Sequence, residues 1–189
     1  VRVISGTAGG LKLTSPTGTG TRPTADRVKE ALFNILQSHE MLTSGVRVLD
    51  LFAGSGALAI EALSRGAAHA TLVDKSRPAL DALRKNLLHT KLADQATVLP
   101  LDVFQALDQL TRQCARFDLV LLDPPYALGL QAKVLERITP LLSAKGMMVA
   151  EAASREPLPE RVGRCWRIDR RVYGDTALEF FVPEGNDAP

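Results

Sequence analysis

The chain has 189 residues, 46% of them hydrophobic and 23% charged, the make-up of one globular domain of ordinary size. No apolar run approaches the ~20 residues that span a bilayer and no N-terminal signal is visible, so a cytoplasmic protein without a membrane partner is expected. The two cysteines, Cys114 and Cys165, form no CxxC pair, and neither a disulfide framework nor a metal site is expected.

In chain order, residues 2 to 13 (RVISGTAGGLKL) read as two short strands about a glycine-rich turn. TSPTGTGTRPT follows as a mobile loop that builds no core. Thr24 can cap a helix with Asp26 in its first turn, and Val28, Ala31, Leu32, Ile35 and Leu36 recur at helical spacing to an end near Ser38. From Val46 onward short apolar runs alternate with helical stretches: VRVLDLF, GALAIEALSRG, ATLVDK, RPALDALRKNLLHT, ATVLPLD, VFQALDQLTRQ and FDLVLLD. Strands alternating with helices predict a parallel sheet covered on both faces.

A further helix is expected between Gln131 and Leu142, loosened at its end by Pro140, and then a strand at Met147 to Glu151. Trp166 to Tyr173 and Ala177 to Val182 read as a closing hairpin across Gly174 and Asp175. In it Trp166, Ile168 and Val172 alternate as packing residues, which turns Arg167 and Arg171 outward. EGNDAP reads as a disordered tail. The expected division is an extension over 1–23, one domain over 24–183 and a tail over 184–189.

In an open α/β sheet, ligands bind at the carboxyl ends of the strands where the strand order reverses. The residues closing successive strands here are DLFAGSG (Asp50, Leu51, Phe52, Ala53, Gly54, Ser55, Gly56), then Asp74, Asp102 and Asp123. One aspartate in a turn means little; four in register on one rim are a candidate site. Gly54, Gly56 and Ala59 also satisfy G-x-G-x-x-A, which keeps a nicotinamide enzyme in view. Against it, Asp50 stands four residues before Gly54 and would repel a pyrophosphate. A ligand bearing an ammonium and a sulfonium, S-adenosylmethionine, would instead be attracted. On that reading the glycines allow close backbone approach, Asp74 accepts from the ribose diol, and Asp102 with the Val103 amide meets adenine. Phe52 and Phe104 are candidates for cofactor contact or for core. Lys75, next to Asp74, bears on that carboxylate's hold on the ribose.

The fourth strand end reads Asp123, Pro124, Pro125, Tyr126. Pro124 forces Asp123 out of the helical region, and two prolines remove two backbone donors, leaving a stiff corner of acceptors. Such a corner suits an exocyclic amine: Asp123 and the Pro124 carbonyl take its hydrogens while Tyr126 stacks on the base. His39, His69 and His89 are scattered and supply no base.

VLDLFAGSG followed by LLDPPY resembles class I S-adenosylmethionine-dependent methyltransferases acting on base amines. RVISGTAGGLKL, TRPTADRVKEALFNIL and VYGDTALEFF resemble, in order and over nearly the whole chain, the bacterial 16S ribosomal RNA guanine-N2 methyltransferase family. The resemblance implies a Rossmann-like α/β fold with a mostly parallel seven-stranded sheet and a small N-terminal hairpin. It also implies methylation of a guanine amine in 16S ribosomal RNA, presented within the small subunit or its assembly intermediate. On that resemblance the Arg22 to Thr24 stretch borders the cofactor or the target.

Net charge is +2, too mild to establish an RNA partner by itself, but two stretches are basic. Val1 to Ala25 holds Arg2, Lys12 and Arg22 without an acid, and Arg161, Arg164, Arg167, Arg170 and Arg171 crowd around Asp169. Arg2, Lys12, Arg22, Arg167 and Arg171 are the candidate RNA contacts of an expected monomer. A DNA adenine-N6 methyltransferase and a non-catalytic RNA-binding or ribosome assembly protein are the alternatives.

Overall fold

The computed structural model describes residues 1–16, 24–124 and 130–186. Helix α1 (Thr24–Ser38) leads into β1 (Arg47–Leu51), α2 (Ala57–Ser64), β2 (His69–Val73), α3 (Arg77–His89), β3 (Ala96–Leu99), α4 (Val103–Arg112) and β4 (Phe117–Leu122). There follow α5 (Leu130–Ile138), β5 (Leu142–Ala153), β6 (Arg161–Val162), β7 (Cys165–Tyr173) and β8 (Thr176–Pro183). Among the described residues one sheet of eight strands runs in the order β3-β2-β1-β4-β5-β8-β7-β6. The first five are parallel and the last three antiparallel.

The strand order reverses between β1 and β4, so their carboxyl ends flank the crevice where α/β sheets take ligands. Strand periodicity divides the core in two. Val48, Leu72, Leu119, Leu121 and Val149 pack on one face with Leu32, Phe33 and Leu36 of α1, Ile60 and Leu63 of α2, and Leu83 and Leu87 of α3. Leu49, Leu51, Val120, Leu122 and Met148 pack on the other with Leu107 and Leu110 of α4 and Val134, Leu135 and Ile138 of α5. Three layers result, with successive strand residues feeding opposite cores.

Several expectations are corrected. The sheet has an eighth strand, the two-residue β6, too short to carry a periodicity. β5 starts at Leu142 rather than Met147, because the polar stretch after it still lies in the strand and Leu142 registers with Phe117. The helix expected up to Leu142 ends at Ile138 and tightens into a 3-10 turn at Thr139–Leu141, where Pro140 withholds a donor. Residues 2 to 13 carry one bridging pair, Arg2 with Lys12, rather than two strands. The tail starts ordered: the Glu184 amide donates to the Arg164 carbonyl at 2.8 Å, and the Asn186 amide group donates to the Ala144 carbonyl. Residues 187–189, and most of the loop expected to be mobile, lie outside the described residues.

The N-terminal arm is docked by polar contacts and by core. Val3, Ala8 and Leu13 are buried with α1 and α2. Glu61 of α2, fully buried, accepts the amides of Ile4 at 2.7 Å and Ser5 at 3.1 Å, and is paired with Lys29 and Arg65. Gly6 has φ 83°, and a Cβ there would meet the Ser64 carbonyl oxygen at 1.8 Å, so only glycine fits the contact.

Candidate functional site

The register of β1, β2 and β4 sets the rim of the site. Leu51 pairs with Val73 on one side and Leu122 on the other, so the next residues, Asp74, Phe52 and Asp123, stand at one level. Leu122 also pairs with Ala150, which brings Glu151 level with Asp123. Glu151 was visible in the sequence only as the end of a strand; its place in the site follows from register.

Asp50 lies two residues below this rim, inside β1, and the residue is 1% exposed. Its visible role is in the fold rather than toward a ligand. Its Oδ2 accepts the Ala59 amide at 3.1 Å, supplying the acceptor that α2 lacks at its own N-terminus, where Gly56 offers no side chain. Burial pushes its carboxyl up to about 8, the Ala59 hydrogen bond opposes that, and the charges of Asp123 and Asp74 add to it.

The glycine loop hangs from β2 and α3. The Ala53 amide donates to the Val73 carbonyl at 3.0 Å, and the Gly54 amide donates to Asp74 Oδ2 at 2.8 Å. Asp74 Oδ1 accepts the Ser76 amide at 2.8 Å, so one carboxylate fixes both the loop and the start of α3. Phe52 adopts φ 62°, a region a bulky side chain rarely enters, and such strain of ~1–3 kcal/mol persists mainly where surroundings and function demand it. Gly54 has φ 55°, and a Cβ there would meet nothing nearer than the Phe52 carbonyl oxygen at 4.0 Å. Gly54 is therefore the open point of the loop, whereas Gly56 is buried, caps α2 and faces the Leu72, Ile60 and Leu83 side chains.

Asp102 is not a strand end but the N-cap of α4, its Oδ1 accepting the Phe104 amide at 3.0 Å. Lys75 reaches Asp102 Oδ2 at 3.0 Å rather than engaging Asp74. The Lys75 hydrogen bond, then the Phe104 amide, hold the Asp102 carboxyl below its ordinary range. Phe52 and Phe104 are partly buried against the α4/α5 core, and Val103 is buried beneath them. Each oxygen of Asp74 and Asp102 accepts one such bond and keeps a second lone pair for a ligand donor.

Asp123, the residue after β4, has an exposed surface, and protein around its carboxyl still takes solvation from it. Loss of solvation, then repulsion by Glu151, pushes its carboxyl up to about 7. Pro124 is buried behind it, while Pro125 and Tyr126 lie outside the described residues.

The basic stretches separate. Arg2 and Lys12 are exposed bridge partners on the arm, two cations abreast on one face. Arg22 lies outside the described residues. Arg167, expected to point outward, is drawn inward by a bulge between Arg167 and Asp169 and pairs with fully buried Glu179 at 2.9 Å. Arg170 meets the same carboxylate at 3.0 Å, Arg164 donates to the Thr139 and Leu142 carbonyls, and Arg161 pairs with Glu184. Arg171 is exposed and bound to Asp169 at 2.8 Å, and Val172, expected to pack, is 52% exposed past the bulge. Apart from exposed Arg171, the charge of the second stretch thus pairs within the fold.

A family model described as conserved hypothetical protein 95 matches residues 1–182. The chain belongs to this family. It is 40% identical over 187 residues to ribosomal RNA small subunit methyltransferase D of Escherichia coli, covering 97% of this chain and 90% of that protein. To the Haemophilus influenzae protein of the same name it is 36% identical over 161 residues, 84% and 81% of the two chains. Its fold superposes on a hypothetical protein of Thermus thermophilus with a TM-score of 0.82, at 34% identity over 97% of this chain and 99% of that one. The family resemblance of the TRPTADRVKEALFNIL and VYGDTALEFF stretches is borne out over nearly the full chain, as is the Rossmann-like fold.

Proposed function

We propose that the protein transfers a methyl group from S-adenosylmethionine to the exocyclic N2 of a guanine in 16S ribosomal RNA, within the small subunit or its assembly intermediate. The observation that carries this reading is the level placement of Asp123 beside the glycine loop at the strand-order reversal. The relatives named as small-subunit ribosomal RNA methyltransferases support the RNA substrate.

The residues present fit the cofactor. Gly54 leaves backbone open to close approach, Asp74 has capacity for ribose hydroxyl donors, and Asp102 with the Val103 amide has complementary groups for an adenine edge. S-adenosylmethionine supplies an activated methyl group, so the protein's own task is orientation and acceptance of charge. Asp123 as carboxylate and the Pro124 carbonyl accept the two amine hydrogens, which aims the nitrogen lone pair along one line. Ionised Asp123 also stabilises positive charge as it develops on the amine. Tyr126 stacks on the guanine plane, and Arg2, Lys12 and Arg22 hold phosphates. Arg171 sits at the exposed end of β7 as a further phosphate contact. The arm over 1–23 serves the RNA and 24–183 the chemistry.

Labelled S-adenosylmethionine offered to small subunits from cells lacking the protein tests this, with the RNA digested to nucleosides. N2-methylguanosine is the expected product. Label in N6-methyladenosine overturns the base assignment, and absence of label from RNA overturns methyl transfer to this substrate.

A further inference from the structure

Asn86 of α3 is 1% exposed, a polar amide buried on a helix whose other buried residues are alanines and leucines. Its Oδ1 accepts the Thr14 amide at 2.8 Å, and its Nδ2 donates to the Thr14 carbonyl at 2.9 Å and to the Ser55 carbonyl at 2.9 Å. A buried amide is tolerated only when paired, and here both Nδ2 hydrogens and Oδ1 are engaged. The three bonds join two distant segments. Thr14 lies near the end of the described part of the arm, and Ser55 lies between the two glycines of the loop.

Asn86 is not what keeps the arm on the protein. Glu61 and Ser64 of α2 hold residues 4 to 8, and Val3, Ala8 and Leu13 are buried in the core. What Asn86 adds is register: one rigid, planar group holds the Thr14 peptide in fixed relation to the Ser55 carbonyl. A shift of that carbonyl, through the shared amide plane, moves the chain that enters the basic loop. We propose that Asn86 is a positioning residue that couples cofactor occupancy of the glycine loop to the seating of the arm on RNA. This rests on the reading of the loop as the S-adenosylmethionine site and goes beyond it by linking two sites through one side chain. Such linkage is reciprocal: the factor by which cofactor tightens RNA binding equals the factor by which RNA tightens cofactor binding.

Two measurements test it, with S-adenosylhomocysteine as the non-reacting probe. Amide hydrogen exchange in the native protein should slow at Thr14 by about tenfold or more when the probe binds, with Ser5, held by Glu61, unchanged. Calorimetric affinities for the probe, with and without undermethylated small subunits, should differ by about fivefold or more in the native protein and by a factor near one in Asn86→Leu. Each separate affinity of the variant should stay within about threefold of native. An unchanged Thr14 amide, or a variant that keeps the native factor, overturns the proposal. Should Asn86→Leu fail to fold, the exchange result on the native protein decides. A probe that does not bind, giving no heat at two temperatures and no rise in Tm, overturns the cofactor reading itself, and is thereby distinguished from a probe that binds without reaching Thr14.

Discussion

Asp123 and Glu151 stand abreast on neighbouring parallel strands, because the residues before them, Leu122 and Ala150, are register partners. Two carboxylates so placed oppose each other's ionisation, and with burial as the larger cause Asp123 is raised to about 7. Only the ionised form accepts both the hydrogen and the developing charge of an amine. The rate of methyl transfer under kcat/KM conditions is therefore expected to rise with pH and level off above about 7. Glu151→Gln removes the repulsion and should move the midpoint to lower pH; a midpoint that moves upward would contradict the pairing.

Asp74→Ala strips the acceptor from the Gly54 and Ser76 amides together. Affinity for S-adenosylhomocysteine should fall about tenfold to a hundredfold by calorimetry, with about 1–2 kcal/mol of stability lost to two broken charge-assisted bonds. A variant with native affinity would remove Asp74 from the cofactor site.

Glu179→Gln takes the buried counter-charge from the mostly covered guanidinium groups of Arg167 and Arg170, leaving Arg167 only the exposed Glu160 at 3.5 Å. Breaking such a pair by removing one partner costs about 2–4 kcal/mol, which for a chain of this size lowers Tm by roughly 5–15 °C. Thermal unfolding checks it, and an unchanged Tm would mean that the charge of Glu179 does not stabilise the hairpin.

Asp50 predicts a pH slope in stability. Its folded carboxyl titrates near 8 against about 4 in the unfolded chain, so between these values the fold holds a proton the unfolded chain has lost. The stabilisation from this group is complete below pH ~4 and fades as pH rises through about 8. Asp50→Asn keeps an oxygen for the Ala59 amide and carries no charge. Its stability relative to native should improve from pH 5 to pH 8 by at least ~1 kcal/mol in denaturant titrations. A flat difference would show that Asp50 is charged throughout.

Much of this was legible in the chain because it rests on local pattern. The Val- and Leu-rich runs ending in Asp74 and Asp123 announced parallel strands, and VLDLFAGSG with LLDPPY announced the two halves of the rim. What was not legible depends on register and on depth. Asp50 reads like the other strand-end aspartates, yet it is two residues short of the rim and serves the N-terminus of α2. Glu151 has no neighbouring motif and enters the site only through the pairing of β4 with β5. Arg167 follows the outward phase of an alternating strand until the bulge at its own position turns it toward Glu179. Asn86 sits in KNLLH like any helix residue, and its bonds to Thr14 and Ser55 span 72 and 31 positions, beyond any local signal.

The central claim is that the Asp123 corner orients and discharges the target amine, and the most direct measurement is the single-turnover rate of Asp123→Asn on undermethylated small subunits. The account predicts a rate about a hundredfold or more below native, with S-adenosylhomocysteine affinity held within about threefold and N2-methylguanosine still the product. A variant that transfers methyl groups at the native rate would contradict it, since a neutral amide stabilises the charge that appears on the nitrogen less well than a carboxylate does.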